Sequence, residues 1–585
     1  MGFLWRRLER GLDSPQPMKI RFGECVLDTD ERVLLRGGQP AHLTPKAFQL
    51  LGFLVEVRPR AVPKSELQEK LWPATFVSEG NLATLVKEAR IAIGDDARQP
   101  LYIRTVHGYG YAFAGTVEPT GEAAHSIVIL PFENLTGDRD LDYLCDGVAE
   151  NVTNAFSRVA RFRVLSPRTA FRWKGSKADP ESIGRELQVE TVVHGRVTGA
   201  TSRLTIQVDA VDVASGTQIW GKRFRPEADQ VFRTEEDVAA EVVAALQLRL
   251  SADDQSRLVH RYTSNPHAYD LYLRGRFHWN KRTEEGLKRA IEHFERAIVA
   301  DPEYALPHSG IADVYVAMGT RDLMAPREAF SRALQSATRA LELAPSLAEA
   351  LVSLAAIAEV HQWDWNEAGR KYRRAIELSP SYATAYQWYA LHFARRGLAA
   401  DAELQMAKAL DLDPLSRIGL TNAALLAYLD RDDLAASERI ERALEIEPDS
   451  VDALLVRGGV HEANGRLDPA IADYRAAIAR SSRYTTGLAF LGHALGRRGD
   501  RDEAEEILQR LDTMRRTQHV SAMDSALVAL GLNRFDAVFA WLEAAVREKS
   551  GWLVYLKTDP RLDPLHGDPR FEPLLRAVEL ASGNP

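Results

Sequence analysis

The sequence is poor in cysteine, since its 585 residues include only Cys25 and Cys145, far apart in the chain. Two distant cysteines exclude a disulfide scaffold and a cysteine-rich zinc site, and they suit a reducing compartment. No apolar run approaches the roughly 20 residues that cross a bilayer, and the N-terminal segment lacks the apolar stretch of a secretory signal. We therefore expect a cytoplasmic protein without membrane association.

Sequence motifs of the common enzyme classes are also missing. There is no Gly-x4-Gly-Lys phosphate loop, no Gly-x-Ser-x-Gly nucleophile elbow and no His-Glu-x-x-His zinc helix. His461 is followed by Glu462, but the second histidine of a zinc helix is absent. The sequence therefore predicts a protein that is not an enzyme and that uses neither cofactor nor metal.

Charge is distributed unevenly along a chain that is too long for one hydrophobic core. The formal net charge is −8, yet residues 1–117 hold 16 Lys and Arg against 13 Asp and Glu. The remaining residues hold 58 against 69. A mildly basic first region on an acidic body permits nucleic-acid binding by that first region alone.

The first region, residues 18–117, is predicted to be an α+β domain. Short alternating segments such as "KIRF" and "CVLD" predict small antiparallel strands. Thr44 followed by Pro45 is typical of a helix start, and it opens the first of three predicted helices. A hairpin from Leu101 to Phe113 follows. The predicted order is strands, three helices and a hairpin.

The third predicted helix of this region has two distinct faces. Its apolar residues recur at helical spacing and predict one buried stripe; they are Leu82, Leu85, Val86, Ala89 and Ile93. The opposite face is small, polar and singly basic, which suits insertion into a major groove; it carries Gly80, Thr84, Lys87 and Ile91, flanked by Asn81 and Glu88, with Arg90 at the stripe's edge. The alternative interpretation is a solvated helix face beside a tight turn.

Four segments of the first region resemble the winged-helix DNA-binding domain of OmpR/PhoB-type regulators; they are "LTPKAFQLLGFLVEV", "KSELQEKLW", "NLATLVKEARIAIGDD" and "YIRTVHGYGYAF". The resemblance implies that the helix at 79–93 is a recognition helix and that the hairpin is a wing. The residues that it implies for double-stranded DNA are Asn81, Thr84, Lys87, Glu88, Arg90, Ile91, Arg104, His107 and Tyr109.

The wing tip departs from the pattern of that family, which often carries two arginines there. His107 and Tyr109 stand in their places. Each lost cation removes one phosphate contact and lowers the salt dependence of binding by nearly one unit. We therefore expect weak binding per monomer, so that binding needs a dimer on DNA or paired sites.

The second region, residues 126–250, has the predicted order β-α-β-α-β-β-β-α and is expected to be one α/β domain. The stretches "ILPFENLTGDRDLDYLCDGVAENVTNAFSRV" and "DVASGTQIWGKRF" resemble the TolB amino-terminal domain. That resemblance implies a fold that binds a ligand or a protein. Its acidic run (Asp138, Asp140, Asp142, Asp146) lacks the glycine and glutamate of an EF-hand loop and reads as a metal site or a solvated loop. Cys145 reads as a buried small residue or a reactive thiol.

The third region, from residue 268 to 585, repeats every 34 residues. Three series share the period: small residues at Ala356, Ala390, Ala424, Gly458 and Gly492, alanines at Ala368, Ala402, Ala436, Ala470 and Ala504, and larger residues at Tyr372, Met406, Ile440, Tyr474 and Leu508. This period is that of the tetratricopeptide helix pair, in which small residues let helices approach. We expect an all-α solenoid of seven to eight repeats. It includes a late unit at Ala537, Trp541 and Ala544 and closes with the segment from Asp559 onward.

An aromatic cluster in this region suggests a surface for a protein partner. Trp365, Tyr386 and Trp388 are the candidate contact residues, and packing between adjacent helices is the alternative. The sequence as a whole predicts a multidomain, bacterial-type DNA-binding transcriptional regulator, with the second and third domains used for sensing or partner binding. The competing hypothesis is an interaction scaffold whose winged helix contacts a protein, with RNA polymerase as a candidate, instead of DNA.

Overall fold

The computed structural model divides the chain into two compact units, one within residues 1–124 and the other within residues 125–584. The residues that the structure describes are 19–28, 33–37, 39–58, 60–71, 79–96, 100–106, 108–115, 118–119, 125–200, 203–225, 238–244, 246, 262–281, 283–481 and 485–579.

The first unit contains two small antiparallel sheets, as the alternating segments predict. One has the strand order β4-β3-β2-β1-β8 and the other β5-β7-β6. The strands are β1 Lys19–Phe22, β2 Cys25–Asp28, β3 Val33–Arg36, β4 Gln39–Pro40, β5 Val62–Pro63, β6 Ile103–Val106, β7 Gly110–Phe113 and β8 Glu118–Pro119. The short strands β5 and β8 were not predicted. Strand β8 lies just beyond residue 117, the predicted end of the first region, and pairs with β1.

Three helices pack on these sheets: α1 Pro45–Glu56, α2 Lys64–Leu71 and α3 Glu79–Ile93. Thr44 caps α1 as predicted, because its side chain accepts a hydrogen bond from the amide of Ala47 and Pro45 occupies the first helical turn. In α3 the residues Leu82, Val86 and Ala89 are buried in the core of the unit, so the predicted apolar stripe is confirmed. Ser78, expected to cap α3, lies outside the described residues.

The second unit begins with a mixed sheet of order β11-β9-β12-β13-β14, and β10 pairs with β12. Strand β9 is parallel to both β11 and β12, while β12, β13 and β14 form an antiparallel meander. The strands are β9 His125–Ile129, β10 Glu133–Asn134, β11 Phe162–Val164, β12 Thr191–Ala200, β13 Arg203–Asp212 and β14 Thr217–Phe224. The helices are α4 Asp142–Ser157, α5 Pro167–Phe171 and α6 Pro180–Glu186. Of the helix expected over 228–250, residues 238–244 are helical and most of the remainder lies outside the described residues.

Eight antiparallel helix pairs follow within the described residues, which agrees with the predicted repeat number. Their first helices are α7 Pro266–Asn280, α9 Ala305–Thr320, α11 Ala348–Ile357, α13 Ala383–Arg395, α15 Arg417–Leu429, α17 Val451–Ala463, α19 Thr485–Arg498 and α21 Ala522–Gly531. Their second helices are α8 Glu284–Ala300, α10 Pro326–Leu343, α12 Trp365–Leu378, α14 Ala399–Leu412, α16 Asp433–Ile446, α18 Leu467–Arg480, α20 Arg501–Arg515 and α22 Phe535–Glu548. A π-helical turn, Ala358–Gln362, continues α11. This part of the chain is a helical repeat region that resembles tetratricopeptide repeats.

The 34-residue period reflects close contact between the two helices of a pair. Gly458 on α17 lies against Tyr474 on α18, and a Cβ at Gly458 would come within 2.3 Å of the tyrosine ring. Tyr474 is fully buried. The small residue therefore makes the space that the large residue fills, as the pattern predicts.

The prediction for the late unit was out of register by one residue. In α22 the buried residues are Val538, Phe539, Leu542 and Ala545, whereas Ala537, Trp541 and Ala544 are only partly buried. Helix α22 is followed by two 3-10 helices, Gly551–Tyr555 and Pro560–Leu565, and by α23 Phe571–Ala577. No helix among the described residues is both long and apolar enough to cross a membrane.

The second and third predicted domains share one compact unit. Arg163 on β11 donates to the side chain and the carbonyl oxygen of Asp411 on α14, each at 2.9 Å. Thr169 donates to Asp413 at 2.8 Å, and the amide of Ser166 donates to the carbonyl of Leu412 at 2.8 Å. The α/β module is thus joined to the helical repeats by hydrogen bonds as well as by a continuous apolar core.

Candidate nucleic-acid interface

Helix α3 presents a continuous exposed face opposite its buried stripe. Gly80, Asn81, Thr84 and Lys87 are exposed, and Ile91 is 66% exposed. The hydroxyl of Thr84 donates to the carbonyl oxygen of Gly80 at 2.9 Å, which fixes its rotamer along the helix. The face therefore combines an amide, a hydroxyl, one cation and one apolar group at spacings that fall on one side of a helix.

Arg90 does not belong to this face, which corrects the expectation that it contacts DNA. Its side chain is buried, and one guanidinium nitrogen donates to the carbonyl oxygen of Ile103 at 2.6 Å and to the hydroxyl of Thr105 at 2.9 Å. Both acceptors lie on β6. Arg90 therefore braces α3 against the wing, the hairpin of β6 and β7.

Glu88, which was also expected to contact DNA, is engaged within the unit. Its carboxylate accepts from the backbone amide of Thr44 at 2.6 Å and from the Thr44 hydroxyl at 3.0 Å. Glu88 thereby joins α3 to the N-terminus of α1, where a negative charge is favourable.

Asp95 is a structural residue that the sequence reasoning missed. Its carboxylate accepts from the amides of Leu101, Tyr102 and Ile103 at 2.7, 3.3 and 2.8 Å. Its side chain is fully buried, and Arg90 lies 3.9 Å away. Asp95 thus anchors the start of β6 just beyond the end of α3. Its position one residue after the helix-ending Gly94 was the available signal.

The wing places two of its candidate residues at the surface. Arg104 on β6 is exposed, and Tyr109 at the tip is 49% exposed. Gly108 has φ of +72°, which favours glycine, and a Cβ at Gly110 would fall 1.8 Å from the carbonyl oxygen of Val62. The turn therefore favours glycine at position 108, and the close approach of β5 requires it at position 110. His107 lies outside the described residues.

The aromatic residues expected to bind a partner mainly serve packing. Trp365 is buried and its indole nitrogen donates to the carbonyl oxygen of Val578 at 3.0 Å, so the expectation of a free contact surface is corrected there. The hydroxyl of Tyr386 donates to the carbonyl oxygen of Pro380 at 3.0 Å. Trp388 is partly buried and lines a cavity of about 740 Å³.

The two open interpretations in the second region resolve to structural roles. Asp138 caps a turn by accepting from the amide of Asp140, and Asp146 pairs with Lys174 at 2.7 Å. Among the described residues no cluster of His, Cys, Asp and Glu has the arrangement of a metal site. Cys145 is buried, and burial raises the pKa of its thiol to about 12, so the thiol is held protonated and unreactive.

Comparison with curated proteins finds relatives that cover different parts of the chain. The transcriptional regulator HilA of Salmonella typhi is 22% identical over 430 residues, which are 71% of this chain and 75% of HilA. A putative adenylate cyclase 3 of Rhizobium meliloti (strain 1021) is 29% identical over 197 residues, only 33% of each chain. The transcriptional regulatory protein QseB of Escherichia coli O157:H7 is 35% identical over 106 residues, 18% of this chain and 46% of QseB.

A family model described as "Transcriptional regulatory protein, C terminal" matches residues 38–113. The matched segment contains α1, α2, α3 and the wing, which are the elements that the four resembling segments predicted. The winged-helix assignment of the first region is thereby confirmed. Residues 38–113 are a DNA-binding domain of the OmpR/PhoB family of transcriptional regulators.

Proposed function

We propose that this chain regulates transcription by placing α3 in the major groove of duplex DNA. The observation that carries the proposal is the exposed face of α3 in a domain of a regulator family. The major groove admits one helix, and its base edges offer donors, acceptors and the thymine methyl group. Asn81 and Thr84 supply hydrogen bonds, Lys87 supplies a cation, and Ile91 supplies an apolar contact.

The wing is proposed to contact the DNA backbone or a neighbouring minor groove. Arg104 and Tyr109 are exposed on it, and the sequence places His107 between them. One exposed arginine and one exposed lysine give few phosphate contacts, so the affinity of a single domain is low. We therefore propose that the protein acts as a dimer or on paired sites.

The second unit is proposed to receive the signal. Its sheet order and helix positions are compatible with a TolB-like module at residues 126–250, and the repeats from residue 268 onward are compatible with a surface for a protein partner. HilA, which this chain matches over three quarters of its length, is named a transcriptional regulator and supports the same role here. We propose a cytoplasmic regulator that is not an enzyme, since the match to the cyclase covers a third of that protein.

The proposal is tested with the full-length chain and fragmented DNA from its source genome. Bound fragments are recovered, sequenced and footprinted at increasing salt. We expect a defined set of sites, with protection that weakens steeply as salt rises because phosphate contacts release counterions. Recovery of no specific fragment, together with capture of RNA polymerase by the same protein, would favour the scaffold hypothesis and refute the proposal.

A further inference from the structure

The second unit contains a cavity of about 740 Å³ at the contact between its α/β module and its repeats. The repeats contribute their first helices, from α7 to α19, together with the turn after α11 and residues of the connections next to these helices. Helix α4 and residues 166–171 of the α/β module line a second side, and residues 551–561 of the C-terminal segment line a third. The volume is typical of sites for small organic molecules.

Arg561 lines this cavity and carries one guanidinium nitrogen without a hydrogen-bond partner in the described part of the chain. Two of its guanidinium nitrogens are bound to the carboxylate of Asp559, at 3.0 and 2.8 Å. Its Nη1 is buried and has no hydrogen-bond partner among the described residues, although only 5% of Arg561 is exposed. A buried donor on a cation is costly to leave unpaired, so a small shift of this side chain toward an acceptor in the cavity would be favourable.

The carboxylate of Asp559 cannot serve as that acceptor, because its oxygens are already used. Besides Arg561, it accepts from the indole nitrogen of Trp552 at 2.9 Å and from the hydroxyl of Tyr428 at 3.2 Å. The side chain of Asp559 is fully buried. The acceptor for Arg561 Nη1 must therefore come from elsewhere.

Two further lining residues show the same feature. Arg395 donates to Glu359 at 2.9 Å and to the hydroxyl of Tyr555 at 3.0 Å, but its buried Nε has no partner among the described residues. The buried hydroxyl of Thr421 also lacks one. Both residues are at most 5% exposed. Two of the three unsatisfied groups belong to cations, and hydrogen bonds that involve a charged group are about twice as strong as those between neutral groups.

Aromatic rings surround these donors. The ring of Phe490 lies 3.6 Å below the Arg561 guanidinium, and it contacts Trp552 edge to face with centroids 5.6 Å apart. Trp552 in turn packs on Tyr555 at 4.6 Å. All three residues line the cavity, as does Trp388. Such a lining packs well against a flat apolar body.

We propose that this cavity binds a small organic anion with a flat apolar body, whose charged group accepts hydrogen bonds from Arg561 and Arg395. The ligand would touch the α/β module, the repeats and the C-terminal segment at once, so it would stabilise their mutual arrangement. Its use as an effector rests on the proposed regulatory function, whereas its binding does not.

The test uses two fluorescent probes that differ only by a sulfonate: 8-anilinonaphthalene-1-sulfonate and its neutral parent N-phenyl-1-naphthylamine. Both are titrated into the full chain without DNA, so that failure of the DNA role leaves the result intact. We expect one sulfonate probe per chain, bound at least tenfold more tightly than the neutral probe. Equal affinities in the wild type would overturn the proposal.

Three variants locate the site. R561K keeps the charge beside Asp559 but removes Nη1, and it should weaken the sulfonate probe about tenfold while leaving the neutral probe unchanged. V456W places a large ring in the cavity and should weaken both probes at least tenfold. R570K alters an arginine outside the cavity lining and should change neither. Persistence of wild-type binding in V456W, or an unchanged ratio of affinities in R561K, would place the probes elsewhere and refute the site.

Discussion

The guanidinium of Arg90 donates to the carbonyl oxygen of Ile103 at 2.6 Å, so a buried cation at the end of α3 holds the first strand of the wing. Helix α3 and the wing, the two elements proposed to contact DNA, are therefore held in a fixed position relative to each other. The residue that joins them is not one that contacts DNA.

The Arg90 brace predicts that R90A loosens the wing. Removing a charged donor leaves the Ile103 carbonyl without its partner and costs about 2 kcal/mol. We expect hydrogen exchange of residues 101–113 in the full chain to accelerate at least tenfold, measured by mass spectrometry. K87A, on the exposed face of the same helix, is the matched control and should leave exchange unchanged. Equal exchange rates in R90A and K87A would show that Arg90 does not hold the wing against α3.

Lys87 is predicted to act on DNA and not on stability. K87A should weaken binding to the selected sites and lower the slope of log affinity against log salt by about one, because one phosphate contact is lost. The measurement is a fluorescence anisotropy titration at four salt concentrations. T84S, which keeps a hydroxyl at the neighbouring position, should leave the slope unchanged. A slope identical to that of the wild type in K87A would exclude a phosphate contact by this lysine.

Gly458 is predicted to be required by the contact between α17 and α18. G458A places a Cβ against the buried ring of Tyr474 and should destabilise the second unit by about 1–3 kcal/mol. G369A is the matched control, since the nearest atom to its added Cβ, on His392, lies 3.4 Å away, and alanine favours a helix over glycine. We expect the melting temperature to fall in G458A and to be unchanged or higher in G369A. A melting temperature unchanged by G458A would show that α17 and α18 can move apart without loss of stability.

A buried carboxyl predicts how stability depends on pH. Asp524 accepts from the hydroxyl of Thr485 at 2.6 Å, and burial followed by the nearby charge of Asp322 raises its pKa to about 7, with His519 and Glu548 also close. The pKa of an aspartate in an unfolded chain is about 4. The folded state therefore binds more protons between about pH 4 and about pH 7, and the free energy of unfolding falls as pH rises through that range.

D524N removes this titration while keeping an acceptor for Thr485. We expect its melting temperature to exceed that of the wild type at pH 8 and to match it at pH 4.5, measured by differential scanning fluorimetry. D502N, at an exposed position on α20, is the control and should follow the wild type at both pH values. If the melting temperature of D524N depended on pH in the same way as that of the wild type, other groups would be responsible for the pH dependence of stability.

The sequence predicted features that depend on neighbours along the chain. Three such features appear in the structure: the cap at Thr44, the apolar stripe of α3 and the 34-residue period. Each depends on residues that lie fewer than 35 positions apart. The slipped register of α22 shows the limit of this approach. There Trp541 matched the pattern in size, while the smaller Val538 and Leu542 fill the buried positions.

Features that depend on how elements fold onto one another were missed. The partners of Arg90 are only 13 and 15 residues away, but whether its side chain faces solvent or β6 depends on how the wing packs against α3, across a turn anchored by Asp95. The cavity needs residues from α4, Thr421 and Arg561, which are separated by hundreds of positions and meet only in the folded unit. No local sequence pattern predicts contacts between residues that are so far apart in the chain.

The central claim, that the exposed face of α3 enters duplex DNA, is tested most directly by photocrosslinking from that face. A benzophenone amino acid replaces Thr84 in one full-length variant and the exposed Arg139 of the second unit in another. Both are irradiated with a selected DNA site and purified RNA polymerase present together. The account predicts crosslinks from position 84 to DNA and none from position 139. Crosslinks from position 84 to a polymerase subunit, with none to DNA, would contradict it.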